Sequence, residues 1–165
     1  MDTNDLYRRL RYALQLDDAD AVRLMGLAGR AETQEVAAAW RARDGEPDHI
    51  ECPAQAVSAL LDGLVLDRRG PPDNDRAVPP APGNTSTIDN NTVLKGVKIA
   101  LSMRTEDVRD CIVAGGGAVT NSEVGSLLRR ADARNFRGCG DQMLRRFLSG
   151  LAERQRPTPT SGAHS

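Results

Sequence analysis

Apolar residues recur along this chain at helical spacing. Leu6, Leu10, Ala13 and Leu14 fall at i, i+4, i+7 and i+8, the stripe of an amphipathic helix, and Val93, Val97, Ala100 and Leu101 copy it. The pattern predicts three more helices after each of these. A second helix begins near Asp18 or Thr105, where acidic residues suit the positive helix end, and stops at Gly29 or Gly116. The third follows Thr33 or Thr120 as N-cap and carries Val36 and Trp40, or Val124, Leu127 and Leu128. The fourth follows Cys52-Pro53 or Cys139-Gly140-Asp141, with Val57, Leu60, Leu61 and Leu64, or Leu144, Phe147, Leu148 and Leu151, as its stripe. Asn4 and Asn91 are expected to cap the first helices, Asp141 to cap the last, and Pro53 suits a first helical turn.

The two sets of helices are therefore copies. Asp20 aligns with Asp107, Ala28-Gly29 with Gly115-Gly116, Cys52 with Cys139 and Leu61-Asp62-Gly63-Leu64 with Leu148-Ser149-Gly150-Leu151. Trp40-Arg41 aligns with Leu128-Arg129 only after a one-residue slip. Five of the nine prolines lie between Pro71 and Pro82, which marks a linker. The expected organisation is a first repeat over 1–70, a Pro-rich linker over 71–89, a second repeat over 90–154 and a disordered tail over 155–165. A repeat of this size is marginal alone, so the expectation is an all-α fold of two homologous four-helix repeats packed as a pseudo-symmetric pair.

Composition narrows the function classes. The chain has 165 residues, 39% of them hydrophobic, enough for a modest core. Tyr7, Tyr12, Trp40, Phe136 and Phe147 are its five aromatics, too few for a β-sandwich or a base-stacking surface. No apolar run approaches the ~20 residues of a membrane helix, and Met1-Asp2-Thr3-Asn4 lacks the basic start of a secretory signal, so a cytoplasmic protein with no membrane partner is expected. The net charge of −1 conceals an asymmetry: residues 1–70 carry 9 arginines against 13 acids, whereas 90–156 carry 12 basic residues against 7 acids. Either the second repeat meets an anionic partner, or the asymmetry serves association between the halves or between copies.

Several stretches carry a family resemblance. They are Leu10-Arg11-Tyr12-Ala13-Leu14, Asp62-Gly63-Leu64 followed by Arg68-Arg69-Gly70, Asn90-Asn91 with Val93-Leu94-Lys95, and Asn135-Phe136-Arg137-Gly138-Cys139-Gly140-Asp141-Gln142. In these the chain resembles the bacterial YehS-like family, which carries a tandem pair of a domain of unknown function. Gly96 and Gly115-Gly116-Gly117 depart from the family pattern. The resemblance implies an all-helical cytoplasmic bacterial protein and brings no activity with it.

The sharpest functional candidate is a helix-turn-helix. In each repeat a short glycine-containing turn joins the second and third helices, and the third helix of the second repeat would present Asn121, Arg129 and Arg130, with Arg134 and Arg137 beyond it for phosphates. The first repeat offers Gln34, Glu35, Arg41 and Arg43. Any antiparallel helix pair in a bundle needs such a turn, so spacing alone does not separate the two readings. Arg11 and Lys98 occupy equivalent places, which fits a structural role such as pairing with Asp20 or Asp107 as easily as a ligand role; Cys52 and Cys139, also equivalent, and Asp141 read as structural. Three cysteines at unrelated spacing, with His49 near only one of them, argue against a metal site, and Gly115-Gly116-Gly117 lacks the strand and the lysine of a phosphate loop. No catalytic residue, metal or cofactor is assigned. The expectation is a non-enzymatic regulatory or nucleic-acid-associated protein that binds DNA or RNA through its second repeat; the alternative is a protein-interaction adaptor or homodimer.

Overall fold

The computed structural model of the chain describes residues 1–43, 45–70 and 88–155. The segments where the sequence places most of the linker and tail, 71–87 and 156–165, lie outside the described residues. Eight helices follow in order: α1 (Thr3–Ala13), α2 (Asp18–Leu27), α3 (Gln34–Arg41), α4 (Ala54–Arg69), α5 (Asn90–Ala100), α6 (Thr105–Ala114), α7 (Asn121–Leu127) and α8 (Asp141–Gln155). The described residues contain no strand.

Short acidic and hydroxyl side chains start the helices. Asp2 accepts the amide of Asp5 and Asp89 that of Thr92, both at 2.7 Å, so these aspartates cap α1 and α5. The expectation that Asn4 and Asn91 do so is corrected: each lies inside its helix and turns its amide toward the core. Thr33 and Thr120 cap α3 and α7 as expected, and Glu123 returns a bond to the Thr120 amide at 3.0 Å. Asp141 is the first residue of α8 rather than the residue before it, and its carboxylate accepts from Asn90 at 2.8 Å and from the Met1 ammonium group.

The second helices end alike. Gly29 and Gly116 have φ of +90° and +97°, a left-handed conformation that a side chain would strain, and the next amides, of Arg30 and Gly117, bond back to Met25 and Ile112. The unusual glycines around Gly116 have a packing cause. A Cβ on Gly115 would overlap the backbone carbonyl of Arg146 in α8, so α6 ends against α8 with no room for a side chain.

Helix α2 lies on α4 and α6 on α8, and each close approach occurs at a glycine. A Cβ on Gly63 would overlap the Leu24 carbonyl, and one on Gly150 the Cys111 carbonyl. Between the repeats the contacts cross over. Helix α1 packs more on α8 than on its own α4, and α5 more on α4 than on its own α8. The first helix of each repeat thus covers the last helix of the other, which is the pseudo-symmetric pair expected from the sequence. One continuous core results, from Leu6, Leu10, Trp40 and Leu60 in the first repeat to Val93, Val97, Phe147 and Leu151 in the second. Tyr7 and Trp40 meet edge to face at 5.4 Å where the second copy has Leu94 and Leu127.

Candidate nucleic-acid interface

The site is built on the connection between the third and fourth helices, and one asparagine amide, buried in the first repeat and partly buried in the second, shapes that connection. Asn4 donates Nδ2 to the carbonyls of Trp40 (3.1 Å) and Ile50 (2.8 Å) and accepts the Cys52 amide at 2.9 Å. Asn91 does the same with Leu127 (2.9 Å), Arg137 (3.0 Å) and Cys139 (2.9 Å). Every partner is displaced by 87 positions, so Trp40 corresponds to Leu127, and the slip in the sequence alignment is corrected. The sequence alone pointed to these asparagines as caps because Asn favours helix starts; the doubled Asn was the only signal of the real role.

The loops so held have opposite charge. Residues 42–51 carry Arg43 against Asp44, Glu46, Asp48 and Glu51, whereas their equivalents 129–138 carry Arg129, Arg130, Arg134 and Arg137 against Asp132. The four arginines are all exposed. Arg129 donates to the Arg134 carbonyl at 3.4 Å, and Lys95 of α5 donates to the Arg129 carbonyl at 2.7 Å, so two cationic side chains lie against the backbone of this loop. Arg130 pairs with Asp132 at 3.2 Å with side chains 84% and 73% exposed, and Arg137 pairs with Glu123 at 2.8 Å. Pairs so open to water are worth little, so a phosphate can replace either carboxylate. The Thr120 amide and then Arg137 hold the Glu123 carboxyl below its ordinary range. Asn121 is exposed at the start of α7.

The helix-turn-helix expectation fails on the length of α7. The helix closes at Leu127, and Arg129 and Arg130 lie in the turn beyond it. The cause is a lost acceptor: the Ser126 carbonyl, which a longer helix would offer to the Arg130 amide, instead takes the Arg137 amide of the returning loop at 3.1 Å. At about 1.5 Å per residue, seven residues make a helix of roughly 10 Å, short for a groove reader. In the first repeat Arg41 is committed to Asp18 in a two-pronged pair at 2.9 and 2.7 Å, and Arg43 lies beyond α3.

The residues read as structural are also placed. Arg11 does not pair with Asp20. It donates to the Leu16 carbonyl at 2.7 Å, while Asp20 is occupied with the Asp17 amide. The Lys98 carbonyl accepts the Met103 amide where α5 ends, and Asp107 takes the Arg104 amide and Arg154 rather than Lys98. Cys139 and Cys52 are buried at equivalent places, and burial pushes their thiols up to about 11 and about 12. Such thiols are poor nucleophiles and poor metal ligands at neutral pH. Among the described residues no three His, Cys, Asp or Glu side chains are gathered to hold a metal ion.

The profile of a family described as a protein of unknown function, DUF1456, matches residues 3–70 and 90–156. The chain belongs to this family. It is 37% identical over 153 residues to the uncharacterized protein YehS of Escherichia coli (strain K12), covering 93% of this chain and 96% of that one. No solved structure matches it. The DUF1456 match falls twice on one chain, once per four-helix repeat, and the family carries no named activity. No helix among the described residues is long and apolar enough to cross a membrane.

Proposed function

We propose that this DUF1456 protein is a non-enzymatic, regulatory binder of nucleic acid in the cytoplasm, gripping the phosphate backbone with the connection between α7 and α8. One observation carries the reading. Arg129, Arg130, Arg134 and Arg137 are exposed on a single loop, with Lys95 reaching the same backbone, on a fold that otherwise repeats itself. The first repeat keeps the loop shape and reverses its charge, so the arginines are not a demand of the fold. Because α7 is too short to enter a groove, the contacts are with phosphates, and binding is weakly selective for sequence. Asn121 stands at the edge of this surface and serves as a secondary polar contact.

The test is fluorescence anisotropy of labelled single-stranded RNA and duplex DNA mixed with the full chain, at about 50 mM and about 150 mM salt. Binding at the lower salt, weakened at the higher and similar across sequences, is expected. No binding at the lower salt overturns the reading.

A further inference from the structure

The acidic loop of the first repeat borders a concavity of about 670 Å³ whose walls include Glu35, Glu46, Asp48, the half-exposed Ile50 and Arg41, the last already paired with Asp18 outside it. Its floor is the turn after α3, where the Ile50 amide returns to the Ala39 carbonyl at 3.4 Å, the counterpart of the Arg137 to Ser126 bond. One Glu46 oxygen accepts the Arg43 amide, which fixes that carboxylate at the rim. One molecule therefore carries two loops at equivalent positions whose sequences, 42–51 and 129–138, have three negative and three positive charges in excess.

We propose that the α7–α8 loop of one copy seats in the α3–α4 concavity of a second copy, arginine against carboxylate, so that the protein associates with itself and covers the surface that would hold nucleic acid. Charge complementarity names the occupant. The concavity asks for a cationic segment with side chains long enough to enter it, and Arg130 and Arg134, both exposed on the α7–α8 loop, are such a segment on every copy. Guanidinium groups fit because their planar donors engage carboxylates two at a time. Ile50 supplies an apolar surface for their methylene stems. The contact joins two different patches of the chain, so each copy brings one socket and one plug. Nucleic acid competes for the plug, and only this competition rests on the function proposed above; the association stands without it.

The test uses charge reversal on the full chain without nucleic acid. Sedimentation velocity of the native protein at ~50 mM salt should give a mass above the 17.8 kDa of one chain, falling to it near ~0.5 M salt, where screening shortens to a few ångströms. E46R/D48R makes the socket basic, and R130E/R134E makes the plug acidic. Each variant alone should sediment as a monomer with native helical circular dichroism. An equimolar mixture should associate again, since every socket then faces an oppositely charged plug. A monomeric native protein at low salt, or a mixture that stays monomeric while both variants are folded, overturns the proposal. A native protein whose association ignores both reversals also overturns it. A separate titration of the native chain tests the coupling: a short RNA added at ~50 mM salt should take the self-associated form apart, leaving single chains bound to RNA. An assembly that binds RNA and stays intact removes the competition and leaves the self-association result as measured.

Discussion

The side chain of Asn4 and the backbone of Cys52 are joined at 2.9 Å, and 87 positions later Asn91 and Cys139 are joined at the same distance. Each asparagine also holds one carbonyl at the end of the third helix and one of the loop leading to that cysteine. A buried side-chain amide here does what secondary structure does elsewhere, satisfying backbone groups of an irregular segment that would otherwise be stranded away from water.

Replacing Asn4 with alanine strands the Cys52 amide and two carbonyls at once, each at about 1–3 kcal/mol where burial is complete. Urea titration of Asn4→Ala should show a loss of roughly 3–5 kcal/mol. Asn91→Ala should lose less, because Asn91 is only partly buried whereas Asn4 is 4% exposed. Equal and small losses would mean that water replaces both amides.

Glycines at the helix crossings respond in opposite directions. Gly63→Ala and Gly150→Ala push a methyl into the Leu24 and Cys111 carbonyls, and backbone cannot step aside as a side chain can, so each should cost about 3 kcal/mol or more. Gly96→Ala, whose methyl would meet the Leu61 side chain at an ordinary 3.5 Å, should stabilise by about 0.5–1 kcal/mol. Thermal melts of the three variants check both signs.

Buried thiols set an alkaline limit on stability. Burial raises Cys52 to about 12 and Cys139 to about 11, and burial, then Asp18, raises Tyr7 to about 12. The unfolded chain ionises these thiols near pH 8.5 and the tyrosine near pH 10, while the native protein keeps its protons. The native state thus binds more protons in that window, and stability falls as pH rises from about 8.5 toward 12. Denaturant midpoints between pH 7 and pH 10.5 should decline for the native sequence and decline less for Cys52→Ala. A flat profile would place the thiols in contact with water.

The architecture was legible because burial repeats. The stripe from Leu6 to Leu14 and its copy from Val93 to Leu101 mark the same helix face, and Thr33, Thr120, Gly29 and Gly116 punctuate the chain as short-range chemistry requires. The roles of Asn4 and Asn91 are not legible locally, because capping is a local preference and their bonds span 36 to 48 positions. The end of α7 is not legible either, because the Ser126 carbonyl is taken by Arg137, ten residues past the helix. The reversal of charge between the two loops was present in the sequence all along. Aligning Trp40 with Leu128 instead of Leu127 displaced the loops and hid it.

The most direct test of the phosphate-binding surface is the salt dependence of nucleic-acid affinity in the native chain and in R130A/R134A. Each lost phosphate contact lowers the slope of log affinity against log salt by about 0.9 on duplex DNA and about 0.7 on single strands. The double variant should bind more weakly at every salt and flatten the slope by roughly 1.4–1.8, with its thermal midpoint close to native because both side chains are exposed. An unchanged slope in a folded R130A/R134A would contradict the account.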